Sequence, residues 1–388
     1  MSEHRLKIGI TQGDPNGIGW EVILKALGDP RMTELFTPVV YGSPKAAAFY
    51  RNTLRDAEPV AFVPAASAAE ARRGKVNLVT AGEVAAVEPG KPTPEAGRAA
   101  VEALRAAVED LKAGHIDAVV TAPFDKETVQ SDDFRHTGHT EFFGEAFGGE
   151  PMMIMCSDVL RVGLVTKHIP VSEIARSISR EKIVRDLETL RRSLIEDFGI
   201  VEPRIAVMAL NPHAGDGGLL GREEEETIRP AIVEAFNKGI LAFGPFAADG
   251  LFAGGGYARY DGILAMYHDQ GLAPFKSLSP DGVNFTAGLT AVRTSPDHGT
   301  RSTSPDRTAP THSRCATPST RPSTSCSAAA PGPNGPATPC RAPNARRARA
   351  TSLSRSCRRP KRSKEKNKGQ TGGVFRLVIV EAPKAPKT

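Results

Sequence analysis

The hydrophobic and polar positions of residues 1–300 follow two alternating patterns. Short runs rich in Val, Ile and Leu predict buried strands, and they are LKIGIT (6–11), TPVVYG (37–42), IDAVVTAP (116–123), RVGLVT (161–166), RIAVMAL (204–210) and GILAMYH (262–268). Between several of these runs, apolar residues recur at the helical period of about 3.6 residues, which predicts amphipathic helices over 95–113, 182–198 and 223–238. This alternation is typical of an α/β protein with a largely parallel sheet.

The length of the chain favours two folded domains. Because 388 residues exceed what one hydrophobic core usually organises, we predict a first α/β domain over 1–130 and a second α/β domain, with cleft segments, over 131–300. No apolar run in the sequence approaches the roughly 18–20 residues that a membrane span needs, and the apolar stretch near the N-terminus is too short for a signal peptide. We therefore expect a cytoplasmic protein with no membrane partner.

Residues 301–388 have a different composition. They carry a net charge of +16, whereas residues 1–300 carry −10, and they contain four of the five cysteines. The stretch 301–340 is dominated by Arg, Pro, Ser and Thr and has no hydrophobic periodicity, which predicts a disordered basic tail. Such a tail could bind nucleic acid, but without sequence specificity. Cys156 alone remains in residues 1–300, which argues against a disulfide framework.

A shifted reading frame is the explanation that we favour for this tail. If residues 300–326 are back-translated with GC-rich codons and read two nucleotides later, one permitted product is a loop followed by an amphipathic helix. The tail would then be a non-native sequence in place of the proper end of the second domain. Sequencing the DNA around codon 300 tests this prediction, and an intact frame that hides no helix-coding alternative would contradict it.

A glycine-rich turn, TQGDPNGIGWE (11–21), follows the first predicted strand. Gly13, Gly17 and Gly19 permit tight turns and a close approach of the backbone to a ligand such as phosphate. The spacing is not that of a dinucleotide-binding loop, and strand-to-helix turns are commonly rich in glycine. The pattern therefore favours an ordinary turn over a phosphate site.

Three histidines follow predicted strands directly: His168, His213 and His268. Ligands of open α/β sheets bind at the carboxyl ends of the strands, so three strands could bring three imidazoles to one point. Three neutral imidazoles with open positions suit a catalytic divalent ion such as Zn²⁺. The alternative for each ring is a hydrogen-bonded structural histidine. His139 and His298 also lie in segments flanked by Gly or Pro.

A polar and cationic set lies downstream of HDQG, and it contains Lys276, Asn284 and Arg293. Cations near a metal ion indicate an anionic substrate, either a carboxylate or a phosphate. The alternative is that Lys276 and Arg293 are solvated loop charges. Asp249 and Asp269 are candidates for carboxylates that orient imidazoles, or for simple turn and cap residues.

Six motifs of residues 1–300 together resemble one family. ITQGDPNGIGWE, TAPFDK, FRHTGHTEFF, LNPHAGDGG, LAMYHDQGLAPFK and VRTSPDHGT, in this order, are similar to those of the 4-hydroxythreonine-4-phosphate dehydrogenases of pyridoxal phosphate biosynthesis. The resemblance ends near Thr300. The product permitted by the shifted frame also resembles the continuation of that family. The family usually has Pro where this chain has Trp20.

The resemblance implies a fold, a cofactor and a set of site residues. The fold would be two α/β/α domains with an active-site cleft between them, similar to isocitrate and isopropylmalate dehydrogenases. The enzyme would use NAD and a divalent metal (Zn, Mg or Co) and form a homodimer with a shared active site. The implied metal ligands are His168, His213 and His268, with His268 supplied by the partner chain. The implied substrate-binding residues are His139, Thr140, Lys276, Asn284 and Arg293. The resemblance assigns no residues to NAD.

The implied reaction is the oxidation of 4-phosphooxy-L-threonine, a phosphorylated hydroxy amino acid, followed by decarboxylation to 3-amino-2-oxopropyl phosphate. Two alternatives remain open at this point. One is a related dehydrogenase of 4-phospho-threonate or 4-phospho-erythronate. The other is an inactive product, because the segment after HGT helps to bind the cofactor in the related dehydrogenases and is replaced here. We expect no specific nucleic-acid partner.

Overall fold

All six predicted strands form, and six more join them. The computed structural model of the chain describes residues 5–55, 57–279 and 282–296. Its strands are β1 (Lys7–Thr11), β2 (Thr37–Gly42), β3 (Phe62–Ala65), β4 (Val76–Thr80), β5 (Ala118–Thr121), β6 (Met152–Cys156), β7 (Arg161–Leu164), β8 (Arg204–Met208), β9 (Leu241–Phe246), β10 (Gly262–Ala265), β11 (Val283–Ala287) and β12 (Val292–Pro296).

The helices lie between the strands. They are α1 (Gly19–Leu27), α2 (Arg31–Leu35), α3 (Pro44–Thr53), α4 (Pro94–Lys112), α5 (His139–Phe147), α6 (Ile174–Ser177), α7 (Arg180–Glu196), α8 (Arg229–Asn237), α9 (Ala248–Ala253) and α10 (His268–Leu278). Short 3-10 turns cover Ala68–Glu70, Val171–Glu173, Pro212–Gly218 and Gly256–Arg259, and a π-helical turn covers Glu224–Ile228. The predicted helix over 223–238 is therefore divided into the π-helical turn and α8.

The twelve strands of the described residues form one sheet. Their order is β3-β4-β2-β1-β5-β12-β11-β6-β7-β10-β8-β9. Most neighbouring strands are parallel, as predicted. The exceptions are β6 and β11, because each pairs antiparallel with both of its neighbours. The last described strand, β12, returns to the middle of the sheet and pairs parallel with β5, so residues 174 positions apart, such as Val292 and Ala118, meet there.

Helices cover both faces of this sheet. In β8, Ile205 and Val207 pack with α7 and α8 on one face, whereas Ala206 and Met208 pack with α9 and α10 on the other. The same alternation occurs in β2, where Val40 packs on one face and Val39 and Tyr41 pack on the other. Strands that are buried on both faces are nearly continuous in hydrophobic residues, which is why their sequences stand out as apolar runs. The α/β/α layering is confirmed.

Two long helices begin where the sequence supplies a capping side chain. The hydroxyl of Thr93 accepts a hydrogen bond from the backbone N–H of Ala96 at the start of α4, and Ser179 accepts one from Lys182 at the start of α7. Such caps satisfy backbone donors that have no partner inside the helix. The predictions of helices over 95–113 and 182–198 are confirmed.

All described residues belong to one compact unit. The strands of residues 7–121 are contiguous at one end of the sheet, which agrees with a boundary near residue 130, but the division into domains at 130/131 stays a prediction. The tail over 301–388 lies outside the described residues. None of the described helices is both long enough and apolar enough to span a membrane.

Candidate active site

His168 and His268 lie side by side. Each ring follows a strand, and these two strands, β7 and β10, are parallel neighbours in which Leu164 pairs with Ala265. The pairing continues beyond the strand ends, because the backbone N–H of Thr166 donates to the carbonyl of Met266 over 3.1 Å. The ring centroids of His168 and His268 are consequently 5.4 Å apart, with 44° between the ring planes.

This spacing fits two ligands of one metal ion. With Zn–N bonds of about 2.1 Å and tetrahedral geometry, two coordinating imidazoles have ring centres roughly 5 Å apart. The Nδ1 atom of His268 lies 2.7 Å from Oδ1 of Asp269, so this carboxylate can orient the ring and leave Nε2 for a metal. Asp269 thus fits the role of an orienting carboxylate. Asp249 instead accepts a local hydrogen bond from the N–H of Gly250, as a turn residue does.

The charge state of His168 also suits a metal ligand. Desolvation lowers the pKa of His168, and the positive charges of Lys126 and of His268, when protonated, add to this shift. Only the neutral imidazole binds a metal ion. The lowered pKa therefore keeps His168 ready for coordination at neutral pH.

His213 lies in an unusual turn. The turn follows β8, the other strand neighbour of β10, and residues 213–217 all have positive φ values between 44° and 77°. Left-handed backbone costs about 1–2 kcal/mol for each residue other than glycine, so His213, Ala214 and Asp216 are strained. Strain of this kind clusters at functional sites.

The three predicted metal ligands do not all meet within one chain. Among residues 5–55, 57–279 and 282–296, no three His, Cys, Asp or Glu side chains lie close enough together to hold a metal ion. The structure brings His168 and His268 together in the same chain, although the resemblance implied that His268 comes from the partner. His213 is the ring that this pair lacks, and the three-histidine site stays a prediction.

Arg293 is a buried cation without an ion-pair partner among the described residues, and the carboxylate of Glu141 only partly offsets the desolvation that lowers its pKa. Its side chain is 2% exposed on β12. The guanidinium donates to the hydroxyls of Thr121 and Thr286 over 2.7 to 3.1 Å, and it lies 5.9 Å from the ring centre of Phe143. No carboxylate of the described residues forms an ion pair with it. Desolvation lowers the pKa of Arg293 to about 10, so the charge persists at neutral pH. The expectation of a solvated loop charge does not hold for this residue.

Asn284 lies next to Arg293 on the sheet. In the antiparallel pair of β11 and β12, Thr286 is opposite Arg293, and Asn284 is two residues from Thr286 on the same face. The side-chain oxygen of Asn284 is buried and accepts no hydrogen bond from the described residues. A buried acceptor without a donor and a buried cation without an anion together indicate a ligand with both polar and anionic groups.

His139 and Thr140 begin helix α5 beside this face. The ring of His139 stacks on Phe124 with centroids 3.8 Å apart. Burial lowers the pKa of His139 well below its usual value, and the positive charges of Arg293 and Lys126 add to this shift. Phe143, one helical turn after His139, is the ring beneath Arg293. Helix α5 therefore brings His139 close to Arg293, which lies more than 150 residues later in the sequence.

Three charged residues that the sequence predictions did not include face the same region, and they are Lys126, Glu141 and Lys167. Lys126 of TAPFDK lowers the pKa values of both His139 and His168. Burial lowers the pKa of Lys167, and the carboxylate of Glu141 opposes this shift. Lys126 lies in the TAPFDK motif and Glu141 lies in the GHTEFF motif. Their position in these motifs was the sequence signal that could have identified them. Lys276 lies exposed in the last turn of α10, and its role stays a prediction.

The glycine-rich turn after β1 packs against the loop after β5. Gly13 has a φ of 67°, and a Cβ atom there would lie 2.3 Å from the carbonyl oxygen of Pro123, so close backbone approach requires glycine. The Nε1 atom of Trp20 donates to Gln12 over 3.1 Å, and Trp20 is fully buried. The turn is therefore fixed by packing. Asp14 keeps one buried oxygen without a partner in the described residues.

The sequence and the structure are similar to those of known proteins. Residues 34–302 match the family described as pyridoxal phosphate biosynthetic protein PdxA. A 4-hydroxythreonine-4-phosphate dehydrogenase of Bacteroides thetaiotaomicron is 55% identical over 303 residues, which are 77% of this chain and 83% of that protein. One from Aquifex aeolicus is 41% identical over 76% of this chain and 90% of its own length.

A solved structure extends the similarity to the fold. The crystal structure of a 4-hydroxythreonine-4-phosphate dehydrogenase from Klebsiella pneumoniae aligns with a TM-score of 0.69 at 32% identity, over 77% of this chain and 92% of that chain. The matched residues end at 302, where the composition changes, and they contain all the predicted site residues. The chain belongs to the PdxA family of pyridoxal phosphate biosynthetic proteins.

Proposed function

We propose that the chain oxidises 4-phosphooxy-L-threonine with NAD and a divalent metal ion and decarboxylates the product to 3-amino-2-oxopropyl phosphate. The observation that carries this proposal is the buried guanidinium of Arg293, which forms no ion pair with the described residues and lies in the same region as the paired rings of His168 and His268. The carboxylate of Glu141 links the two, because its negative charge raises the pKa values of both Arg293 and His168 against the desolvation that lowers them. An anion site in the same region as two potential metal ligands matches a substrate that carries phosphate and carboxylate groups. The printed names of the relatives supply the substrate and the reaction class.

Substrate binding would use the groups that have unused hydrogen-bonding capacity. Arg293 uses three of the about five N–H donors of a guanidinium, so two remain for a phosphate or carboxylate oxygen. The free oxygen of Asn284 would accept a hydrogen bond from a hydroxyl or ammonium group. His139, uncharged at neutral pH, would donate a hydrogen bond from its ring N–H to the same anion, and we expect Thr140 and Lys276 to add further contacts.

The metal ion would be held by His168 and His268, with Asp269 orienting the second ring. When bound, a divalent ion would lower the pKa of the substrate hydroxyl and stabilise negative charge on the oxygen. We expect His213, from this chain or from a partner in a homodimer, to complete the ligand set. No described contact assigns residues to NAD.

The proposed reaction balances as two steps. When bound, NAD⁺ would accept a hydride from C3 as the hydroxyl loses its proton, which would give NADH and a β-keto acid. The bond from C2 to the carboxylate then breaks, CO₂ leaves, and its electron pair forms an enolate that is protonated to the aminoketone. Arg293 and Asn284 would hold the substrate through both steps, since binding groups remote from the reacting carbon can be used to orient it.

The main alternative is a substrate that lacks the amino group, such as 4-phospho-threonate or 4-phospho-erythronate. These compounds share the anionic groups that Arg293 would bind. A direct assay separates them: the purified full chain is incubated with NAD⁺, Mg²⁺, Co²⁺ or Zn²⁺, and each substrate in turn, and NADH is followed by absorbance. We expect NADH only with 4-phosphooxy-L-threonine, and none after chelation of the metal.

Two results would contradict the proposal. Turnover of a phosphorylated hydroxy acid but not of the amino acid would assign the chain to the alternative. No turnover with either, together with no rise in the melting temperature on adding metal ion or NAD⁺, would indicate an inactive product, because a ligand that binds only the native state must stabilise it. A rise with metal alone would localise the defect to cofactor binding.

A further inference from the structure

A buried carboxylate anchors the turn that carries His213. Glu224 is 1% exposed, and its Oε1 atom accepts hydrogen bonds from the backbone N–H groups of Leu210 and Asn211 over 2.8 and 2.7 Å. Its Oε2 atom accepts a third bond from the side-chain amide of Asn211 over 2.9 Å. These donors lie directly before the left-handed turn Pro212–Gly218.

The turn also packs against this carboxylate. A Cβ atom on Gly215 would lie 2.7 Å from Oε2 of Glu224, so only glycine allows the carboxylate this close. The turn closes on itself through the N–H of Leu220, which donates to the carbonyl of Gly215 over 3.0 Å. No Lys, Arg or His of the described residues forms an ion pair with Glu224. Its charge is therefore balanced by the hydrogen bonds of this turn.

The strain of the turn makes the anchor necessary. His213, Ala214 and Asp216 are held at positive φ values, which these residue types rarely adopt. Without the carboxylate, the N–H groups of Leu210 and Asn211 would lose their partner, and the strained residues would relax toward right-handed conformations. Such a relaxation would move the backbone that carries the imidazole of His213.

We propose that Glu224 is a positioning residue for His213, holding the left-handed turn in its strained conformation before any metal ion binds. This inference rests on the proposed function, because it requires His213 to be a metal ligand. It assigns Glu224 no contact with substrate, cofactor or metal. Partners that orient metal ligands are typically worth about 10- to 100-fold in metal affinity.

Two measurements on the metal-free and Co²⁺-titrated full chain test the proposal. Hydrogen–deuterium exchange reports the opening of the amides of Leu210 and Asn211, and Co²⁺ absorption spectra report the affinity and geometry of the metal site. The variants are Glu224→Ala, the milder Glu224→Gln, His213→Ala and the control Glu226→Gln. Glu226 lies in the same acidic turn but is exposed, and its ion pair is with Arg222. Circular dichroism selects the variants that remain folded.

We expect both Glu224 variants to speed exchange at Leu210 and Asn211 and to weaken Co²⁺ binding by about 10- to 100-fold, with the larger effects in Glu224→Ala. His213→Ala should weaken Co²⁺ binding and leave exchange at the two amides unchanged. Glu226→Gln should change neither. Glu224→Gln serves as the test if Glu224→Ala does not fold, because its amide oxygen can still accept two hydrogen bonds.

Three outcomes would overturn the proposal. Wild-type exchange in both Glu224 variants would show that the carboxylate does not hold the turn. Faster exchange with unchanged Co²⁺ affinity, while His213→Ala weakens binding, would show an anchor that does not position the metal ligand, and the proposed function would stand. Unchanged Co²⁺ affinity in His213→Ala would remove His213 from the proposed metal site and the positioning role with it.

Discussion

The candidate site region contains two buried charges that differ in how completely their hydrogen-bonding capacity is used. Arg293 on β12 is a buried cation whose hydrogen bonds go to two threonine hydroxyls, and part of its donor capacity is unused. Glu224 before α8 is a buried anion whose oxygens accept three N–H groups from the neighbouring turn. Both residues are at most 2% exposed, and neither has an ion-pair partner among the described residues.

The difference shows that burial of a charge does not by itself identify a ligand site. A buried charge whose hydrogen bonds are complete stabilises the fold around it, whereas one with unused capacity is costly until a ligand arrives. Removing the first kind should therefore harm stability, and removing the second kind should harm binding.

Replacing Arg293 should produce the largest effect on function and little loss of stability. We expect Arg293→Met to reduce kcat/KM for the substrate by about 10²- to 10³-fold, since charge-assisted hydrogen bonds to an anion are lost. Its free energy of unfolding should be unchanged or higher, because an apolar side chain of similar length removes an uncompensated buried charge. Steady-state kinetics and urea denaturation measure the two effects.

The matched control for this change is Arg192→Met on the exposed face of α7. It removes the same charge from the surface, and we expect wild-type kinetics and stability within about 0.5 kcal/mol. A strongly destabilised Arg293→Met variant would show that Arg293 is part of the fold rather than an unused cation, and the distinction between the two buried charges would fail.

Replacing Glu224 should produce the opposite result. Glu224→Ala leaves the buried N–H groups of Leu210 and Asn211 without partners, and we expect the free energy of unfolding to fall by about 3 kcal/mol. Glu226→Gln, at an exposed position of the same turn, should stay within about 0.5 kcal/mol of the wild type. Urea denaturation of the three proteins provides the comparison. Equal stability of Glu224→Ala and the control would mean that the carboxylate of Glu224 does not stabilise the turn.

Two glycines of the His213 turn provide a smaller and more local test. Gly215 and Gly217 have similar φ values of 77° and 66°, so an alanine at either position adds about 1 kcal/mol of backbone strain. Only at Gly215 would the new Cβ atom meet Glu224, since nothing lies within 4 Å at Gly217. We expect Gly215→Ala to destabilise the protein by about 2 kcal/mol and Gly217→Ala by about half as much, as measured by urea denaturation. Equal losses would show that the carboxylate yields to the added methyl group.

The sequence predicted the parts of the fold that local pattern determines. Strands buried on both faces, such as β1 and β8, appear as continuous apolar runs, and α4 and α7 show a helical period behind a capping Thr or Ser. The sequence did not predict the strands β6 and β11, and their pairing with each other joins segments more than 120 residues apart, which no local pattern shows. The return of β12 to the side of β5 escaped prediction for the same reason.

The candidate site was predictable in its residues more than in its geometry. His168 and His268 were recognised because each follows a strand, but only the strand order makes them neighbours. Arg293 was indistinguishable from a solvated charge until its burial was known. Glu224 lies in the acidic run Glu223–Glu226, which suits a helix N-terminus and gives no sign of a buried carboxylate. Lys126 belongs to the TAPFDK motif, but its effect on the pKa values of His139 and His168 depends on tertiary contacts that the motif does not show.

The smallest expected effect concerns the pH dependence of stability at His139. Because the folded protein lowers the pKa of this ring, the unfolded chain binds a proton first as the pH falls below about 6.5. The contribution of the neutral ring to stability is therefore complete above that pH and is lost as the pH falls toward the folded pKa. We expect the urea midpoint of the wild type to fall more between about pH 7.5 and pH 5 than that of His139→Asn.

His136→Asn removes a ring from the same segment but leaves the stack of His139 on Phe124, so it should follow the wild type. Equal slopes for the wild type and His139→Asn would show that the ring is solvated, and the positive field of Arg293 would then not extend to the start of α5.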